Sequence, residues 1–429
     1  MTPGGTALVT FSELRAAQPD LWLTAANDLR DAGKQCQRVE DDIHKNGVQP
    51  LQTDWPDHVG KLASDVLKRI ASRAQVSSIL ARAGVEPVDA LSHAVTIAQN
   101  ELENGVRFAQ SNGLVVDPQS GSVSLPPTVQ GRDPMELMLL AGQAQNLIDD
   151  AVEAATQADG ICADELRAIA ARESDPQTTV DQAQETQATA VKKSLEEIRD
   201  TIPDGLSPTE VQQWWSGLTP REQFDLQRAC PTELMGLDGI PDSAKQQIDR
   251  PELGYSSAGA VNYAKQNVDN ASLDWDPEDN CTNFVSDVLK YGGGMKTKDS
   301  DTWPVNHWDH DGWSDGGLGG NDALPPQVPG YSPSWGAAQN NHDFFLKNGG
   351  SLVTDPNQIR PGDIAYWQRA ETGEVHHAAV VTGVLPDGEI LYTQHSGSGL
   401  DYPLNGRLPD FEVSDGPQNI QIVQPRVTW

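Results

Sequence analysis

The feature that most narrows what this chain can fold into is a change of character at Pro251. All seven tyrosines and seven of the eleven tryptophans lie beyond it, and glycine becomes frequent there. Before it, the sequence runs in long alanine-rich and polar stretches with helical spacing. After it come short runs of β-branched and aromatic residues. A chain of 429 residues with two such halves exceeds one compact core, and about two to three domains are expected.

The first half reads as helices. Thr10-Phe11-Ser12-Glu13 forms a capping box, in which hydroxyl and carboxylate each satisfy an orphan backbone amide. Trp22, Ala25, Leu29, Ala32, Cys36, Val39 and Ile43 then recur at alternating steps of three and four, the spacing of a helix packed lengthwise on a neighbour. Asn46-Gly47 is the expected stop. A second helix from about Pro56 is expected to turn Val59, Leu62, Val66 and Ile70 inward. A third covers 87–111, GLVVDPQSGSVSLP reads as a short hairpin, and Asp133-Pro134-Met135-Glu136 opens a fourth helix that reaches about 171. The expectation is an antiparallel bundle over 1–171. Residues 172–206 are polar and read as a linker, partly helical around AVKKSLEEIRD. Residues 207–250 carry two more capping boxes, at Ser207 and Thr219, flanking VQQWWSGL, and read as short helices. From 251 to 429, one helical segment, CTNFVSDVLKYGGG, precedes the strand-like runs GDIAYW, HAAVVTGVL, EILYTQHS and IQIVQPRV. Helix first and antiparallel strands afterwards predicts an α+β domain. The fold class expected is therefore multidomain, an all-α bundle followed by an α+β domain.

Composition limits the partners. The net charge of -32, from 62 acidic and 30 basic residues, repels phosphate backbones, so nucleic acid is not an expected partner. Mean hydropathy is -0.50, and no stretch approaches the roughly 20 apolar residues of a membrane helix. The start, MTPGGTALVTFSEL, lacks the basic and apolar regions of a secretory signal. The four cysteines, Cys36, Cys162, Cys230 and Cys281, form no CxxC pair, so neither a zinc knuckle nor a disulfide framework is expected. His307-Trp308-Asp309-His310-Asp311 has metal-binding residue types but fits no metal-loop spacing, and it reads as an acidic loop within the 299–334 insertion. No cofactor and no metal are expected.

Cys281 opens the amphipathic segment DPEDNCTNFVSDVLKYGGG, with Asp279 or Asn280 as its cap. The positive end of a helix favours a thiolate, which is how a thiol becomes a nucleophile near neutral pH. The bland alternative is a structural cysteine at a helix start. A nucleophilic cysteine needs an imidazole. His377 begins the apolar strand HAAVVTGV and shares a face with Ala379 and Val381, while His376 takes the other face. His395, on the next strand, can hold the imidazole's tautomer.

DNCTNFVSDVLKYGGG, RPGDIAYW, HHAAVVTGV and YTQHS resemble the bacterial family known as the Putative amidase domain, a relative of NlpC-type and other papain-like cysteine peptidases. The likeness covers about 255–429. It implies a papain-like fold, with Cys281 as nucleophile, His377 as base and His395 as orienter. Asn280 stands where the family has Asp. The helical half, with Trp55 in the turn of its first hairpin, and WWSGLTPREQFDLQRACPTELMGLDGIPDSA resemble WXG-type exported effectors of actinobacteria. Trp55-Pro56-Asp57 departs from Trp-x-Gly, and no Tyr-x-x-x-acid export signal precedes Tyr255. The two resemblances imply a hydrolase, secreted or at the cell surface by a non-Sec route, that cleaves amide bonds in peptidoglycan peptides. Type VII secretion machinery or a helical partner, and an immunity protein, are the implied partners. The alternative is an inactive binding or structural protein, or a cytoplasmic one.

Overall fold

The computed structural model describes residues 8–128, 132–270, 273, 280–298, 307–309, 332–395, 399–405 and 418–429. The chain divides into two compact units, Met1–Thr201 with Gly217–Thr219, and Ile202–Ser216 with Pro220–Trp429.

The first unit is helical. The Thr10–Glu13 capping box forms and opens α1 (Phe11–Ala16). α2 (Pro19–Ile43) runs on through a π turn, His44–Val48, into α3 (Gln49–Asp54). Asn46-Gly47 therefore does not end the helical path. The seam of α2 keeps Trp22, Leu29, Cys36 and Ile43 partly buried, but its alternate members are Ala26, Gly33 and Glu40 rather than Ala25, Ala32 and Val39. α4 (His58–Ala83) packs on α2, and its buried positions include the small residues Gly60, Ser64, Ala71 and Ser78. Ser78 Oγ donates to Gly33 O at 2.8 Å, and a Cβ on Gly33 would stand 3.1 Å from Ser78 O. The two helices thus approach closely at Gly33 and Ser78. Val59, Leu62, Val66 and Ile70 face outward, 45% to 54% exposed, opposite to the expectation from their apolar spacing.

α5 (Val85–Ser111) is the most buried helix of the unit and packs against α6 (Pro134–Ser174), whose first turn Asp133 caps. Val115–Val116 and Val123–Ser124 pair as the small hairpin β1–β2. The stretch read as a polar linker holds α7 (Val180–Asp200), opened by a Thr179–Gln182 capping box. Ala183, Ala190, Val191, Leu195 and Ile198 lie on its buried stripe, and the partial helix expected around AVKKSLEEIRD is its second half.

In the second unit, four short helices come first: α8 (Pro208–Gly217), α9 (Pro220–Ala229), α10 (Pro231–Gly236) and α11 (Asp242–Asp249). α12 (Ser257–Asn267), α13 (Cys281–Asp287), α14 (Pro333–Gly336) and α15 (Ala338–Lys347) follow, with one antiparallel sheet. Its strands are β3 (Ser351–Leu352), β4 (Ile364–Arg369), β5 (Val375–Val384), β6 (Ile390–Gln394), β7 (Gly399–Pro403) and β8 (Gln418–Gln424), ordered β3-β8-β4-β5-β6-β7. The unit is thus α+β, after an all-α first part. One sheet face, with Ile364, Tyr366, Ala378, Val380 and Val423, packs against Phe284, Val285, Phe344 and Phe345 of the helices. The other face holds Ala365, Trp367, Ala379, Val381, Tyr392 and Ile422.

The short helices are fastened to the sheet by charge. Arg250, at φ 51°, donates to Asp363 Oδ1 at 2.9 Å, Pro361 O at 2.8 Å and Ser257 Oγ at 3.1 Å. The Phe224 ring lies 4.6 Å from the Arg360 guanidinium and 5.0 Å from that of Arg228. Asp363 belongs to the Pro-Gly-Asp turn before β4, and its backbone O accepts from Val381 N at 2.9 Å. The turn that leads into the central strands is thereby locked.

Candidate active site

Cys281 is the first residue of α13 and is half-buried. The apolar stripe Phe284, Val285, Val288 and Leu289 anchors this helical segment, which continues as a π turn over Val288–Gly292. Thr282 Oγ1 stands 3.5 Å from Cys281 Sγ. Asp279 lies outside the described residues. Asn280 precedes the helix, but its side chain makes no capping bond. It is turned instead to Leu273 O (3.2 Å), Asn283 Nδ2 (2.9 Å) and His395 Nδ1 (3.0 Å).

His377 is fully buried on β5, paired across to Trp367 of β4. Its Nε2 lies 2.9 Å from Gln394 Oε1, and its ring centroid is 4.8 Å from that of Trp367. A carbonyl oxygen only accepts, so Nε2 carries the proton and Nδ1 the lone pair. Burial pushes the imidazole from 6.5 down to about 3, against the raising effect of the Gln394 bond, with His376 adding to the fall. The ring is thus neutral at ordinary pH, the form a base must have. His376, the extra residue where the β4–β5 register shifts, bonds Gln418 Oε1 at 2.6 Å.

His395 follows β6 and sits elsewhere. It stacks on Phe284 at 5.1 Å, its Nδ1 meets Asn280, and its Nε2 is 3.2 Å from Asn270 O. The structure thus brings His395 to the residue beside Cys281, on the sheet face that α13 covers. It sets His377 on the face of Trp367, Ala379 and Val381, with Gln394. The orienting bond expected of His395 is made by Gln394, because neighbours on a strand point to opposite faces. Alternation could have found it: Val380 pairs with Thr393, so the partner that shares His377's face is Gln394.

Sequence reading also missed the polar layer beneath α13. Trp335 Nε1 donates to Asn283 Oδ1 at 2.8 Å, and Trp308 Nε1 to Ser286 Oγ at 3.1 Å. Two tryptophans of the 299–334 insertion and its edge therefore bind successive turns of the cysteine helix, stacked on each other at 4.9 Å. Trp308, read as part of an acidic loop, is fully buried; His310 and Asp311 lie outside the described residues. Among the described residues, no group of three or more His, Cys, Asp or Glu is placed to hold a metal, and no helix is long and apolar enough to cross a membrane.

Residues 254–412 match the model of the family described as Putative amidase domain. No match to the chain is found among curated proteins or among solved structures. The matched span contains Cys281, His377, Gln394 and His395, and amide hydrolysis in general is the chemistry it supports.

Proposed function

We propose that the C-terminal domain is a papain-like cysteine amidase in which Cys281 is the nucleophile, His377 the base and Gln394 its orienter. The observation that carries this reading is the His377–Gln394 bond at 2.9 Å, which fixes a neutral imidazole with its lone pair on Nδ1, in a span that also presents a half-buried cysteine at a helix start. His377 lies on the sheet face away from α13, so in this reading the imidazole must turn toward Cys281 before Nδ1 takes the thiol proton; the thiolate then adds to the amide carbonyl. Backbone amides at the helix start stabilise the oxyanion. The amine leaves with the proton from the imidazolium, and water, deprotonated by the same imidazole, hydrolyses the thioester.

The substrate class is an amide in peptidoglycan peptides, reached after export by a non-Sec route. The helical unit serves export or docking, through type VII-like machinery or a helical partner, and an immunity protein protects the producer. The acidic charge and the two sequence resemblances support this part of the reading. Mapping iodoacetamide adducts at limiting reagent is expected to find Cys281 the most reactive of the four thiols near neutral pH. Digestion of muropeptides followed by mass spectrometry identifies the bond. Equal labelling of Cys36 overturns the nucleophile assignment.

A second reading makes His395 the imidazole that serves the thiol, favoured by its place against Phe284 on the face that α13 covers. His395 bonds Asn280 and Asn270 O, and the first reading keeps as base the histidine that the family resemblance implies. Loss of thiol activation in His395→Ala but not in His377→Ala would reverse the order.

A further inference from the structure

Four hydrogen bonds, three buried and the last part-buried, run in one direction behind Cys281. Trp335 Nε1 donates to Asn283 Oδ1 (2.8 Å), and Asn283 Nδ2 donates to Asn280 Oδ1 (2.9 Å). Asn280 Nδ2 meets His395 Nδ1 (3.0 Å), and His395 Nε2 meets Asn270 O (3.2 Å). The last acceptor is a carbonyl, so Nε2 holds the ring proton and Nδ1 accepts from Asn280. The directions close without conflict. The second hydrogens of both amides go to Leu273 O, each at 3.2 Å. Trp335, Asn280 and Asn283 are at most 1% exposed and His395 6%, so each bond operates where an unmade one is costly.

We infer that this relay positions the nucleophile, with Asn283 holding the Asn280 carbonyl away from the start of α13. Asparagine before a helix ordinarily turns its Oδ1 onto the first-turn amides. Here Asn280 makes no such bond, because its Oδ1 is held by Asn283 and its Nδ2 by His395 and Leu273. Capping by Asn280 would engage the amides whose positive field favours the thiolate and the oxyanion. Asn280, Asn283 and His395 are thus positioning residues, and His395 acts on Asn280 rather than on His377. The inference rests on the reading of Cys281 as nucleophile.

The test is the pH dependence of Cys281 alkylation by iodoacetamide in the full chain. Asn283→Ala releases the Asn280 carbonyl. It is expected to move the thiolate midpoint upward by about one pH unit, which is about tenfold lower reactivity below the midpoint. In Asn280→Ala/Asn283→Ala the freed cap is gone, and the midpoint is expected to return toward that of the unaltered protein. A merely structural role predicts the reverse, a double variant no better than the single. Trp335→Phe, which keeps the ring but removes the donor to Asn283, is expected to give a smaller shift of the same sign, and it decides the matter should Asn283→Ala not fold. An unmoved midpoint in these variants, or no recovery in the double variant, overturns the relay. If Cys281 of the unaltered protein alkylates like an ordinary thiol, the cysteine-hydrolase reading fails instead.

Discussion

Gln394 holds the imidazole of His377 through Nε2 at 2.9 Å, against the ring of Trp367, and this bond sets which ring nitrogen carries the proton. Gln394→Ala is expected to lower turnover and Cys281 activation by about tenfold, less than the roughly 10²- to 10⁴-fold expected for loss of His377 itself. Gln394→Glu makes a sharper case. A carboxylate at Nε2 favours the imidazolium, so the imidazole is expected to titrate well above the value of about 3 that burial imposes. The pH profile of Cys281 alkylation reads this directly, and a Gln394→Glu profile identical to that of the unaltered protein would show that Gln394 does not address the base.

Much of the second unit was legible because its signals are local. Strands β4, β5, β6 and β8 are dense in β-branched and aromatic residues, and Pro386-Asp387-Gly388 supplies the turn between β5 and β6, with Gly388 at φ 95°. Edge strands β3 and β7 are short and mixed, and neither stands out. In the first unit the helices were legible but their faces were not. Val59, Leu62, Val66 and Ile70 make an apolar stripe at helical spacing, yet they stay 45% to 54% exposed while Ser78 of α4 meets Gly33 of α2 at close backbone distance, an approach that hydrophobicity does not encode. The site shows the same limit. Cys281 and His377 stand in recognisable settings, whereas Gln394, Asn283 and Trp335 become visible only when strand register and three-dimensional proximity are known.

The Arg250–Asp363 pair should be a point of structural failure. Both side chains are at least 93% buried, at 7% and 0% exposure, and Asp363 also accepts from Arg360 N at 2.9 Å. Removing one partner leaves a buried charge uncompensated, which costs about 3–5 kcal/mol. Arg250→Ala is expected to lower the unfolding free energy of the second unit, read from urea titration, by that amount, although Arg250 precedes the span that matches the amidase family. A truncation that begins at 254 should suffer similarly. Unchanged midpoints in both would mean that the short helices are dispensable to the domain.

Limited proteolysis should cut first between α7 and α8. Residues 204–207 are exposed, and Gly205 has φ 70°, whereas Val180–Asp200 is helical with a buried stripe. Exposed loops lacking burial are cleaved in preference to packed helices. The expected products end near 204, as read by mass spectrometry of the fragments. Early cleavage inside 183–198 would show that α7 is not held on the first unit.

Asp287 links stability to pH from the cysteine helix itself. Burial raises its carboxyl from 3.8 to about 7, with Lys290 opposing. The folded protein therefore retains a proton that the unfolded chain releases above about pH 4. In that window the folded state binds more protons, so stability contributed by this group falls as pH rises toward 7 and is lost above it. Asp287→Asn cannot ionise and escapes the loss. Relative to the unaltered protein, its urea midpoint is expected to be similar near pH 4 and higher at pH 8. Glu40 and Asp225, raised to about 7 and about 6, titrate in the same range in both proteins, so the difference between the two curves isolates Asp287. Midpoints that stay parallel from pH 4 to pH 8 would show that its carboxylate is already ionised within the fold.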